Sequence, residues 1–149
     1  YDAAAPIFVA LPFDRVVADE MLMAIARCSH IGRTFLVRPH PMTRAEVFAG
    51  GNIHLASRSL REHAAVSAVL YAATSVGLEA LVAQLPTLRY RPRSGLALNI
   101  LPPGIDVPTT DLQSLPDTLM KLQQPLSVDR GVIFAAPDID IWRSHLKAA

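Results

Sequence analysis

Two short stretches carry side chains with chemistry to offer. The first is Arg38-Pro39-His40-Pro41. Each proline fixes its own φ and pushes the residue before it toward extended backbone, so Arg38 and His40 are both held extended at low entropic cost. A guanidinium and an imidazole so placed suit an anion. His40, with an unperturbed pKa near neutrality, can donate to a phosphate oxygen or protonate a leaving group. The second stretch is Thr74-Ser75-Val76-Gly77-Leu78-Glu79. Its two hydroxyls stand at the predicted start of a helix, where unpaired N–H groups and the positive end of the dipole favour an anion. Glu79 follows Ser75 by four residues, about one turn along the same face. A carboxylate there can accept hydrogen bonds from two ribose hydroxyls. Gly77 permits close approach of backbone or ligand, at a cost of about 1 kcal/mol against Ala in a helix interior. The two stretches together read as a phosphate site with a carboxylate beside it.

Each residue also has a plainer explanation. The prolines shape a strand-to-helix turn whatever His40 does. Thr74 and Ser75 are good N-cap residues, and Glu79 fits an exposed helix position, although its neighbours Val76, Leu78, Ala80, Leu81 and Val82 leave little obvious polar face. Arg89, Arg91 and Arg93 alternate, which puts them on one side of an extended chain; a charged strand end facing water explains this at least as well as phosphate binding, with Arg91 the candidate contact. His54 and His63 form no recognised metal pair, and no metal site is expected. No P-loop, Gly-x-Ser-x-Gly elbow or Gly-x-Gly-x-x-Gly fingerprint occurs, which weighs against an NTPase, a hydrolase of that type and a dinucleotide oxidoreductase.

The elements that must position these residues follow from patterning. Pro6–Pro12, Thr34–Val37, Asn52–Ala56, Ala68–Tyr71 and Thr87–Tyr90 are short apolar or β-branched runs bounded by turn residues, and Asn99–Leu101 reads as a last short strand. Helical segments alternate with them. One is capped by Asp14 and closed near Gly32. A short one runs from Thr43 through Phe48 with Glu46 completing a capping box, and a brief one around Leu60–Val66 has Glu62 three residues after Ser59. The helix after Thr74-Ser75 stops at Gln84-Leu85-Pro86. Another runs from Asp111 to about Leu122, and a terminal one from Asp138 to Lys147 carries Trp142. Strand–helix alternation of this kind predicts an α/β fold, a Rossmann-like parallel sheet with helices on both faces. Ligands in such sheets sit beyond the carboxyl ends of the strands. Arg38-Pro39-His40, Thr74-Ser75 and Arg91-Pro92-Arg93 each follow a predicted strand, so all three are expected on that edge.

Composition sets the outer limits. The 149 residues are 51% hydrophobic with a formal charge of +1, which fits one domain with an ample core and gives no warrant for nucleic acid as a partner. The single cysteine, Cys28, excludes an internal disulfide framework and sits in an apolar helical pattern, as a small core residue does. No apolar run approaches the roughly 20 residues of a membrane span. The chain opens on Tyr1 rather than Met, so it is expected to be a piece of a longer protein.

Phe35-Leu-Val-Arg-Pro-His-Pro41 and Ala73-Thr-Ser-Val-Gly-Leu-Glu-Ala-Leu-Val-Ala-Gln-Leu-Pro-Thr87 resemble the C-terminal, donor-binding domain of GT-B glycosyltransferases. The likeness is to bacterial surface-polysaccharide enzymes with a His-Pro motif: capsule Kdo transferases, sialyl- and polysialyltransferases, and CDP-glycerol glycerophosphotransferases. It covers the layout of residues 6 to 122 but only these two motifs in detail. The family's Gly-x-Pro helix end is replaced by Gln84-Leu85-Pro86. The resemblance implies that residues 1–149 form one nucleotide-sugar-binding domain of a two-domain enzyme. His40 would contact the donor phosphate as the catalytic group of this half, Thr74 and Ser75 would lie near that phosphate, and Glu79 would bind ribose, with Arg38, Gly77 and Arg91 also on the donor side. It implies a CMP-, CDP- or UDP-linked donor as substrate, no further cofactor, and a saccharide or lipid-linked acceptor bound by an N-terminal domain. The implied location is cytoplasmic, with peripheral association of the full-length protein at the inner face of the membrane. Two other readings stay open: half of an enzyme resembling UDP-N-acetylglucosamine 2-epimerase, and a flavodoxin-like binding module without chemistry.

Overall fold

The structure, a computed structural model, describes residues 2, 4–42, 50–63, 65–122, 128 and 130–133. The apolar runs fold as parallel strands: β1 (Ile7–Ala10), β2 (Phe35–Arg38), β3 (Ile53–Leu55), β4 (Ala68–Tyr71), β5 (Thr87–Tyr90) and β6 (Thr109–Thr110). They form one six-stranded sheet in the order β3-β2-β1-β4-β5-β6. The central strands β1 and β4 are buried along their whole length, which explains their unbroken apolar sequences. The fold is α/β and Rossmann-like, as the alternation predicts.

Side-chain alternation splits the core into two layers. Ile7, Val9, Phe35, Val37, Ala68, Leu70, Leu88 and Tyr90 face helix α1 (Arg15–Ala26) and helix α3 (Leu115–Lys121). Phe8, Ala10, Val69 and Tyr71 point to the opposite face, against helix α2 (Val76–Val82) and Leu60 of a 3-10 turn at Leu60–Glu62. A further short helix, α4 (Arg130–Ile133), packs beside α2. Helices therefore cover both faces of the sheet.

The local signals act as the sequence implies. Asp14 Oδ1 accepts from the N–H groups of Val16 and Val17 at the start of α1. After α1 a 3-10 turn, Ser29–Ile31, ends at Gly32, whose φ of 65° is the left-handed conformation glycine permits. Ser59 and Glu62 close a capping box, with the Ser59 N–H donating to Glu62 Oε2 at 2.8 Å, but the helix it opens is only one 3-10 turn. Asp111 Oδ1 accepts from the N–H groups of Gln113 and Ser114 and so shapes the turn that enters α3.

One strand differs from expectation. Asn99–Leu101 is loop, and the sixth strand is Thr109–Thr110, beyond Pro102-Pro103-Gly104. Leu101, Ile105 and Val107 are nevertheless buried in the α2-side layer. Their apolar character serves the core without a ladder. Arg89 and Arg91 instead donate backbone N–H bonds to the carbonyls of Pro108 and Thr110. The helix predicted for Thr43–Phe48, with Glu46, and the terminal helix around Trp142 lie outside the described residues. Among the described residues no helix is long and apolar enough to cross a membrane.

Candidate functional site

The order of the strands creates a crevice. β1 lies between β2 and β4. The chain leaves β1 into α1 on one face, whereas it leaves β4 into α2 on the other. The loops after β1 and β4 therefore diverge, and this switch point is where doubly wound sheets bind ligands. A cavity of about 450 Å³ lies there, walled by the ends of β1, β2 and β4 and by the start of α2.

Five sequence-predicted residues meet in this cavity: Arg38, His40, Thr74, Ser75 and Glu79. Arg38 is the last residue of β2, in register with Ala10, and follows Leu36 onto the α2 side of the sheet. Its charge, with that of Arg58, adds to the hydrogen bonds from the Ser59 hydroxyl and N–H that lower the pKa of Glu62; the hydroxyl bond is the largest cause. His40 sits between its two prolines, partly buried. Its Nδ1 accepts from the Met42 N–H at 3.3 Å, which leaves Nε2 as the ring nitrogen that can donate. Phe13, in the loop between β1 and α1, meets the imidazole edge-on, with ring centroids 5.6 Å apart and planes at 80°.

Capping does not account for the two hydroxyls of the second stretch. Ser75 makes no side-chain cap bond, and Thr74 Oγ1 is buried without a hydrogen-bond partner. The N–H groups of Ser75 and Val76 likewise have no acceptor among the described residues. Because α2 has only seven residues, its dipole contributes little, and binding capacity rests on the side chains and these N–H groups. Thr74 lines the cavity with its hydroxyl buried. Glu79 forms an ion pair with Arg61, with Oε2 3.5 Å from Nε. The Arg61 side chain is 80% exposed, so this pair is weak and easily exchanged.

Two candidates lie elsewhere. Gly77 is buried under the ring of Tyr71 and does not line the cavity. Arg91 is exposed just past β5 and also lies outside it. Of Arg89, Arg91 and Arg93, only Arg89 lies within β5. Arg89 Nη2 donates to the Ala97 carbonyl, and the Arg93 N–H donates to Glu20 on α1. A larger cavity of about 510 Å³ opens toward the amino-terminal ends of β4 and β5, between Leu60, Arg61, Glu79 and Pro86. Size does not make it the better candidate: none of the strand-end residues of the switch point reaches it. Among the described residues no cluster of His, Cys, Asp and Glu could hold a metal ion.

Sequence reasoning missed Phe13, Ser59 and Glu20. Phe13 carried a signal, an aromatic directly after the Pro that closes β1. Ser59 reads in the sequence only as a cap, although it also lines the cavity. Glu20, buried in α1 at 5% exposure, accepts from the Tyr90 hydroxyl at 2.9 Å. That partner lies seventy residues away in sequence, so no local pattern could reveal it. Comparisons with family models, with curated proteins and with solved structures return no match.

Proposed function

We propose that this chain is the donor-binding domain of a GT-B-type glycosyltransferase of bacterial surface-polysaccharide synthesis, taking a CMP-, CDP- or UDP-linked sugar or polyol. The observation that carries this reading is the convergence of its two motifs. Arg38 and His40 come from one, Ser75 and Glu79 from the other, and all four wall a single cavity at the switch point of the sheet. The Arg38 guanidinium and the Nε2–H of His40 would hold the donor phosphate and stabilise the negative charge that develops on the leaving nucleotide phosphate as its bond to the transferred sugar or polyol phosphate breaks. The Ser75 and Val76 N–H groups would add neutral donors to the same oxygens. Glu79, released from Arg61, would accept from ribose hydroxyls. The acceptor, saccharide or lipid-linked, and the base that activates it would belong to an N-terminal domain working at the inner face of the membrane.

Titrating CMP, CDP and UDP into the ¹⁵N-labelled chain tests the reading. Shifts concentrated at His40, Ser75 and Val76 with at least one nucleotide are expected. An absence of shifts there with all three would overturn it. In the full-length enzyme, His40→Ala and Glu79→Ala should each lower transfer at least tenfold; unchanged transfer would leave a binding module without chemistry.

A further inference from the structure

We infer that Phe13 is a ring-binding wall of this site, so that the cavity selects phosphates carrying a ring over bare phosphates. The inference rests on the donor-binding reading and deepens it. Phe13 lines the cavity beside Leu11 and His40, and the residue is 63% exposed. Leaving a large aromatic so exposed at a sheet edge forgoes its burial, whereas covering it with a ligand ring recovers that energy. The geometry suits the task. Edge-on contact with His40 orients the Phe13 ring relative to an imidazole whose Nδ1 accepts from the Met42 N–H.

The rest of the cavity divides by chemistry around that wall. Arg38 and His40 supply positive charge from the end of β2, Glu79 supplies a carboxylate from α2, and Ala10, Leu11 and Val76 supply apolar surface. A ligand matching all three needs an anionic group, hydroxyls and a ring face. Bare phosphate or pyrophosphate matches only the first. The ring could be a nucleobase or a sugar, and both present a face that packs on an aromatic side chain.

Affinities of CMP, ribose 5-phosphate and inorganic pyrophosphate for the wild-type chain, Phe13→Ala and Phe13→Tyr test the inference. Phe13→Ala is expected to weaken CMP about tenfold, Phe13→Tyr to restore it, and pyrophosphate to stay within about twofold. Equal weakening of ribose 5-phosphate assigns the wall to the sugar, and weakening of CMP alone assigns it to the base. A parallel loss for pyrophosphate would overturn the inference, because Phe13 would then act only by holding His40. Unchanged CMP affinity in Phe13→Ala, with the His40 and Ser75 shifts intact, would also overturn it while sparing the donor-binding reading. A wild-type chain that binds none of the three would remove both.

Discussion

Gly77 is built against the ring of Tyr71: a Cβ added to it would lie 2.4 Å from Cε2 and 2.6 Å from Cζ. Tyr71 is fully buried in β4, so its ring cannot swing aside cheaply. The close approach that the glycine permits is thus made by a core aromatic, and the start of α2 is seated on it. Gly77→Ala should therefore destabilise the protein by about 1–3 kcal/mol, despite a helix-propensity gain of about 1 kcal/mol. In a Tyr71→Leu background the penalty should largely vanish. Urea unfolding of the four proteins measures the coupling; strictly additive effects would contradict the packing relationship.

Glu20 ties the loop after β5 to α1. Its carboxylate accepts from the Tyr90 hydroxyl, from the Arg93 N–H at 3.0 and 3.2 Å, and from Ser94 Oγ at 3.3 Å. Burial, first, and the Glu20 contact, second, raise the Tyr90 phenol pKa. Glu20→Ala strands a buried hydroxyl and a backbone N–H, and should cost about 3 kcal/mol. Denaturation measures the loss, and amide exchange at Arg93 should accelerate beyond what global destabilisation explains. An Arg93 amide that still exchanges only with global unfolding would mean the loop is held by something else.

The central sheet was legible because β1, β4 and β5 are short apolar runs stopped by prolines, small residues or charge, and burial on both faces leaves such runs few other options. The candidate site was legible for a related reason. Arg38 ends a strand, while His40, Thr74 and Ser75 follow one, and a parallel sheet delivers all strand ends to one edge. The resolution stopped at that edge. Nothing local distinguishes Arg38, which turns into the crevice, from Arg91, which stays outside it. That difference is set by strand order, with β2 next to β1 and β5 two strands away. Ile100 and Leu101 mimicked a strand because a core-covering loop needs the same residues as a ladder.

Asp111 links the fold to pH. Backbone and hydroxyl hydrogen bonds from Ser114, then the Gln113 N–H, lower its pKa below the ordinary 3.8. A lowered folded-state pKa means the carboxylate stabilises the fold above pH 3.8, and that this contribution is lost as pH falls through the lower folded value. Asp111→Ala should cost about 1 kcal/mol near pH 7, and the gap to wild type should narrow as pH drops below 3.8. Stability curves for both proteins between pH 7 and pH 2 make the comparison. A gap that stays constant across that range would show that the charge on Asp111 is irrelevant.

Glu79 offers a chemical test of the proposed donor binding. One of its oxygens faces Arg61 Nε across 3.5 Å. If ribose hydroxyls take the place of that guanidinium, the carboxylate exchanges a solvent-screened pair for charge-assisted hydrogen bonds, which contribute more. CMP should then bind about tenfold more tightly than 2′-deoxy-CMP. Glu79→Ala should bring the two ligands close to equal affinity, whereas Arg61→Ala should preserve the preference or enlarge it, because the carboxylate no longer has a competing partner. Calorimetric titration of both nucleotides against the three proteins resolves these differences. A ribose preference that survives Glu79→Ala would place the sugar elsewhere in the cavity and return Glu79 to the surface of α2 as a partner for Arg61.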